Sequence, residues 1–393
     1  MAHSGALQTR PRVVHLTSAH SAFDVRIFLK ECRALARAGY EVIEIVNHGQ
    51  DEMVDGIRIR ALGRSRGRIH RFFKSIAMCR EALRYRRAVY HFHDPDLLLA
   101  GLVLRAMGEK VIYDIHEDLP RTVNYKSYIP RWLRPAVTTA AEWVEDVAVR
   151  HMNGLVAATP AIEQRFRRRH ANTTVVSNFP DLHEIAPALS LAWEERDMAV
   201  AYIGNISEER GIREMLDAMA LVREALPVKL VLAGAARDHR VQKFIHEHSA
   251  ARRVSWAGLL DRAGVSALLG RVRAGLVVLH AEQNFIVSQP TKLYEYMAAS
   301  IPVIASDFPL WRSIVAGSRC GMLVDPMDAR QIAEAIEYVF DHPGQGRDMG
   351  ERGRSVVERD FNWENEQQKL LDFYTALLKR TPETTPDLIP ADS

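Results

Sequence analysis

The sequence predicts an α/β fold of two doubly wound, Rossmann-like domains facing a central cleft. Three observations lead there. Short β-branched runs alternate with segments of helical periodicity, the alternation lapses once and restarts, and 393 residues suffice for two domains of ordinary size. In the first half, Val13–Leu16, Glu41–Val46, Ala88–Phe92, Lys110–Asp114, Gly154–Ala157 and Thr173–Val176 read as buried strands, with helical spacing between them, as in Arg26–Ala38. Around 178–194 the chain reads SNFPDLHEIAPALSLAWEE, with two prolines and no sustained period, which predicts a linker. The pattern resumes with strands at Ala199–Ile203, Val228–Ala233, Ala274–Leu279, Pro302–Ala305 and Met322–Val324, and a helix over Ile212–Leu226. The expected division is therefore 1–185, 186–362, a helix over 363–380 that packs back on the first domain, and a polar, proline-rich disordered tail over 381–393. Ligands of such sheets bind beyond the carboxyl ends of the strands, so the chemistry is sought just after strands.

Composition narrows the classes. Hydrophobic residues at 47% and charged residues at 26% fit a globular chain rather than a disordered or fibrous one. No apolar run reaches the ~18 residues a spanning helix needs, and the first residues hold no signal core, so a cytoplasmic protein is expected. The three cysteines form no CxxC pair, which argues against a disulfide framework or a zinc site. The net charge of +3 hides an asymmetry: residues 1–190 hold 28 Lys+Arg against 20 Asp+Glu, and the remainder 24 against 29. The first half is basic, with no recognised nucleic-acid motif beside the charge.

The densest constellation is SQPTKLYEYMAASIPVIASD, residues 288–307. Pro290 suits the first turn of a helix that presents Thr291, Lys292 and Glu295 together. Free N–H groups and Lys292 favour an anion, and Glu295 one turn deeper can accept hydrogen bonds from a vicinal diol, a pairing that fits a nucleoside diphosphate. An ordinary amphipathic helix with a Lys–Glu pair fits the spacing as well.

EYMAASIPVIASD resembles the donor-site signature of the GT-B-fold, retaining glycosyltransferases of family 4. HLTSAHSAFDVRIFLKECRALARAGYEV, HFHDPDLL, VIYDIHED, AYIGNISEERGIREMLDAM and GMLVDPMDARQIAEAI resemble further segments of a bacterial branch of that family, in matching order over roughly residues 12–378. The resemblance implies a metal-independent transferase that moves a sugar from a nucleotide-diphosphate donor to a hydroxyl, with no cofactor and with retention. Glu295 would hold the donor ribose, Arg210 would pair with the diphosphate, Lys292 would be a second cation, and His116 would meet the donor sugar. Gly204, Asn205, Pro290 and Thr291 complete the donor side. This chain departs from the pattern at Val287, where the family has a second glutamate, at Asn205, where it has arginine, and at Ser18-Ala19-His20, where it has a Gly-Gly turn.

Other residues stay open between two readings. His93 and Asp94 in HDPD either line the acceptor side or form a turn in which Asp94 caps the following helix; Asp94 and Asp96 also mimic a metal-binding DxD. Asp24 and Arg26 are acceptor-side candidates or a cap and an ion pair. In YDIHED, His116, Glu117 and Asp118 face the cleft or form a structural cluster. Residues 64–87 place Ile69, Phe72, Phe73, Ile76 and Leu83 on one stripe among arginines, and Tyr128, Trp132 and Leu133 lie beside Arg131 and Arg134; both segments suit either sheet packing or an anionic membrane surface. Cell-surface polysaccharide synthesis, with a glycan or polyprenyl-diphosphate-linked acceptor at the inner membrane face, is the expected setting. An epimerase of the same architecture and a non-catalytic transferase-like subunit are the rival expectations.

Overall fold

The computed structural model describes residues 10–63, 68–117, 130 and 132–379, with the backbone alone for 68–72. Asp118, Tyr128, Arg131, the tail 381–393 and the side chains of Ile69 and Phe72 lie outside the described residues. The chain divides into two compact units, one holding the residues up to Val176 together with those from Glu366, the other Ser177–Asn365. The division precedes the expected 185/186 boundary because the linker already belongs to the second core, where Phe179, Ile185, Ala188 and Trp193 are buried.

The first unit is built on eight strands: β1 (Arg12–Ser21), β2 (Glu41–Asn47), β3 (Glu52–Val54), β4 (Ile57–Ala61), β5 (Ala88–Phe92), β6 (Lys110–Ile115), β7 (Gly154–Ala157) and β8 (Thr173–Val175). Their order is β3-β4-β2-β1-β5-β6-β7-β8, parallel except for the β3–β4 hairpin at one edge. That hairpin was not among the expected strands, although Asp55-Gly56, both at positive φ, is the two-residue turn such hairpins use. Strand alternation separates the two faces of the sheet. Val14, Leu16, Tyr90 and Phe92 point into an apolar core under the helices Arg68–Ala82, Leu98–Ala106 and Arg134–Val149. The opposite face carries His15, Glu44, His91, His93 and Asp114, and there His15 lies in register with both Glu44 and His91. This polar face is covered by the π-helical turn Ile27–Cys32 continued by the helix Arg33–Arg37, and by the helix Trp363–Lys379. From that last helix Phe373 packs on Gly154, and Tyr374 meets Tyr40 edge to face and bonds His91.

In the helix Arg68–Ala82, Lys74, Met78 and Ala82, spaced by four, face inward, whereas Phe73 and Ile76 of the stripe expected over 64–87 are exposed, so these two do not pack on the sheet; Leu83, just beyond the helix, does lie against the core.

The second unit holds β9 (Ala199–Ile203), β10 (Lys229–Ala233), β11 (Val254–Gly258), β12 (Ala274–Val277), β13 (Val303–Ser306) and β14 (Gly321–Val324), ordered β11-β10-β9-β12-β13-β14 and all parallel. Both faces of this sheet are buried, by Met215, Leu216 and Ile336 on one side and by Leu293, Tyr296 and Trp311 on the other. The helix after β9 ends at Leu221, earlier than expected, because the chain leaves helical geometry at Val222, ahead of Pro227. No helix of the described residues is long and apolar enough to cross a membrane.

Candidate functional site

In the second unit the crossovers leave β9 in one direction and β12 in the other, and chemistry-bearing side chains gather where these strands part. Gly204 ends β9 with φ +124°, a conformation open to glycine, and the next turn carries Arg210 to Gly211. Gly211 (φ +77°) lies so close to β12 that a Cβ would sit 2.0 Å from the Val278 carbonyl oxygen. Arg210 stacks over Phe285 with its guanidinium carbon 5.2 Å from the ring centre. The loops after β9 and β10 enclose a cavity of about 550 Å³ lined by Asn205, Ser207, Arg210, Arg237 and Arg240 among others.

The helix Thr291–Ala298 packs beside this turn, with Pro290 one position outside it as the N-cap rather than within its first turn. Every residue from Lys292 to Ala298 is buried. The Lys292 ammonium lies 3.6 Å from the Tyr202 ring centre and would be 3.3 Å from a Cβ at Gly204, and it has no hydrogen-bond partner among the described residues. Burial, then the Arg210 charge, holds its pKa well below the usual lysine range, with Glu295 only partly opposing them. An anion arriving there would supply what the amine lacks. Glu295, 3% exposed, accepts a 2.7 Å hydrogen bond from Arg262 Nη1 on Oε1, and Arg262 Nε donates to Glu184 at 2.8 Å. Thr291 Oγ1 lies 3.5 Å from Asn178 Nδ2, and the Asn205 carbonyl accepts from the Tyr202 hydroxyl at 2.7 Å. Glu282 begins the short helix Gln283–Ile286, and Val287 ends it.

In the first unit the corresponding parting lies between β1 and β5. Asp94 Oδ2 accepts from the Thr17 hydroxyl (2.8 Å) and from the Ser18 (2.7 Å) and Ala19 (3.2 Å) amides, while Asp96 accepts from the Ser18 hydroxyl (2.7 Å). Asp94 therefore ties down the end of β1; its side chain makes no capping bond to the helix after Pro95, so that reading is corrected. Arg26 is buried and spans both Asp114 oxygens, at 2.9 and 2.8 Å, with Nη1 donating to the Val176 carbonyl at 2.6 Å. Asp24 accepts from the Arg26 and Ile27 amides, opening the helical turn. Asp24 Oδ1 thus acts as a cap and Arg26 as an ion-pair partner, the structural members of the two readings left open by the sequence.

Asp114 is the hub of this network. His93 Nδ1 (3.0 Å) and His116 Nε2 (2.9 Å) both meet Oδ2, and His15 Nδ1 meets His93 Nε2 at 2.9 Å. Burial alone would raise the Asp114 pKa, but Arg26 and His116 hold it well below the carboxylate range, whereas burial pulls His93 down to about 4. His93 is fully buried, and the His116 side chain at 17% exposed is the network's outlet. His15, Glu31, His91 and His93 form one set of metal-ligand types and His93, Asp114 and His116 another. A divalent ion in the first set would face the Arg26 guanidinium, 3.1 Å from Glu31, and would leave net positive charge in a dry site. Burial, then the Asp114 charge, push the Glu31 carboxyl well above the usual carboxylate range, with Arg26 opposing them.

Residues 25–178 match the family of the glycosyl transferase 4-like domain, and residues 190–356 that of the glycosyl transferases group 1. The chain is a GT-B-fold glycosyltransferase. This glycosyltransferase is similar to glycogen synthase of Mycobacterium tuberculosis, at 22% identity over 392 residues covering 90% of this chain and 91% of that one. In structure it resembles sucrose-phosphate synthase from Thermosynechococcus elongatus (TM-score 0.74, 21% identity, 94% of this chain and 99% of that one). Anabaena HepE, solved in complex with UDP-glucose, is similar as well (TM-score 0.70, 13% identity, 93% and 99%). Sequence reasoning about the glycosyltransferase missed Arg262, whose pairing with Glu295 spans distant segments. It also missed His15, His91 and Glu31. The period-two spacing of His91 and His93 was the available signal for a polar inner face.

Proposed function

We propose that this glycosyltransferase moves a sugar from a nucleoside-diphosphate donor to a hydroxyl of a glycan or polyprenyl-diphosphate-linked glycan, with retention and without a metal. The observation that carries the donor reading is the buried amine of Lys292 beside Gly204, which lies over the Tyr202 ring but has no hydrogen-bond partner among the described residues, close enough to Arg210 for that charge to depress its pKa. Two cations against a bare glycine backbone suit a diphosphate, and they would offset the negative charge that grows on the departing nucleotide as the anomeric bond loosens. The helix that starts at Thr291 leaves the Thr291 and Lys292 N–H groups outside its own hydrogen-bond ladder, an end that favours an anion, and the backbone at Gly204 and Asn205 gives the phosphates close approach. Glu295, with Oε1 held by Arg262 and no hydrogen bond to Oε2 among the described residues, suits a ribose diol.

His116, exposed at one end of the Asp114 network, is the first unit's candidate for contact with the donor sugar, and Asp94 and His93 support the loop around it. The leaving phosphate would take the acceptor proton in a same-face attack, so no nucleophile of the protein is needed. A thermal-shift panel of UDP, GDP and ADP tests the donor assignment: one of them should raise the melting temperature of the wild type, and Glu295→Ala should weaken that diphosphate by about tenfold or more through loss of a charged hydrogen bond. Unchanged affinity in Glu295→Ala would remove the ribose role.

A further inference from the structure

Fifteen large hydrophobic side chains are exposed among the described residues, and nine of them lie on or beside three neighbouring helices of the first unit. On Leu98–Ala106, which touches both of the others, the exposed positions are Leu99 (60% exposed), Val103 and Ala106, with Met107 directly after. On Arg134–Val149 every exposed position is uncharged, and Val137, Trp143 (67%) and Val144 are the large ones. The acids of that helix are occupied elsewhere: Glu142 and Asp146 pair with Arg169, and Glu145 is buried against Arg165. On Arg68–Ala82, Phe73 and Ile76 are exposed and are followed on the same stripe by Arg80.

Soluble surfaces rarely leave so much apolar area contiguous, and exchangeable protein–protein interfaces are no more apolar than the rest of a surface. Two neighbouring helices whose exposed side chains carry no charge apart from Glu142, 43% exposed and turned to Arg169, therefore fit hydrocarbon better than a transient protein partner. The basic rim decides the lipid. Arg80, Arg84, Arg86 and Arg87 are exposed at and beyond the end of the first helix, Arg150 is exposed two turns after Trp143, and the strongly exposed Trp132 precedes the third helix. Tryptophan and arginine at the border of an apolar face are the residues that settle at the headgroup level of an anionic bilayer.

We propose that the exposed faces of helices 68–82, 98–106 and 134–149 form a surface that lies on an anionic lipid bilayer. This is independent of the donor reading, since it uses no residue of the second unit. The test is flotation of the full chain with phosphatidylcholine vesicles with and without phosphatidylglycerol, at low and high salt. The wild type should float with the phosphatidylglycerol vesicles and be partly released by salt, and the pair Val103→Glu and Trp143→Glu should lower the bound fraction by about tenfold or more at an unchanged melting temperature. Hydrogen exchange on the wild type decides the matter should that variant fold poorly: vesicles should slow exchange in 98–106 and 134–149 and leave 212–221 unchanged. The proposal is overturned by a wild type that stays in the aqueous phase or binds both vesicle types alike at all salt concentrations. It is overturned equally by light scattering that shows a dimer dissociated by the charged pair, since a second copy would then cover this face.

Discussion

Glu295 is a carboxylate almost shut off from water and matched by one cation. Arg262 is in turn held by Glu184, so the three charges form a chain across otherwise separate segments. Removing the middle member leaves Glu295 buried and unpaired. Arg262→Met is expected to cost about 3 to 5 kcal/mol, and adding Glu295→Gln should restore much of it. Urea denaturation of the single and double variants measures this, and a double variant no more stable than Arg262→Met would show that the ion pair is not the cause. Glu44 is the opposite case, a buried carboxyl with no partner among the described residues, pushed by burial from 4.5 to about 9. A folded pKa above the unfolded one favours folding fully below about 4.5, an advantage lost progressively as the pH climbs to about 9. At pH 7 the loss amounts to about 3 kcal/mol. Glu44→Gln should therefore raise the urea midpoint at pH 8 and change it little at pH 5, and equal midpoints at both values would show that Glu44 does not titrate this way.

At the scale of elements, the turn from β9 into the helix Ile212–Leu221 depends on the chain passing under the Val278 carbonyl. Gly211→Ala meets that oxygen and a disfavoured φ together, and about 2 kcal/mol or more of stability should be lost, with weaker nucleoside-diphosphate binding because Arg210 is displaced. A melting temperature within a degree of wild type would contradict this. The same scale shows what the sequence made legible. The runs at β1, β2, β5, β6 and β9 announced themselves because β-branched and other apolar residues dominate them, even though the buried His15, Glu44, His91 and Asp114 interrupt the first four on one face. The edge strands β3 and β11, and β4 beside β3, did not, since partial exposure breaks their apolar runs, as in the alternating burial of Val254–Gly258. The candidate donor-side residues stood out through the family resemblance of their segments, Lys292 and Glu295 on one helix and Arg210 ahead of another. Arg262 was not, because a pairing across 33 residues leaves no local period. Arg26 and Asp24 could be read either way until burial was known.

At the scale of the whole chain, the first unit is closed by the last described helix. Leu370, Phe373, Tyr374 and Leu377 are buried there, together worth about 6 to 12 kcal/mol, as much as a typical domain's entire stability. A chain ending at Asn365 should keep a folded second unit and lose the first, which limited proteolysis would register as cleavage confined to residues before Val176. Protection of those residues in the truncated chain would contradict the assignment. The basic first unit and the mildly acidic second one differ in surface as they differ in sheet order, in keeping with separate partners for each.

That closing helix also bears on how the molecule is made. During synthesis the first unit leaves the ribosome with its histidine- and carboxylate-bearing sheet face uncovered, and the segment that seals it emerges only after the whole second unit. The second unit is continuous and can mature first, so the half begun earliest is finished latest, and a holding chaperone has its longest opportunity there.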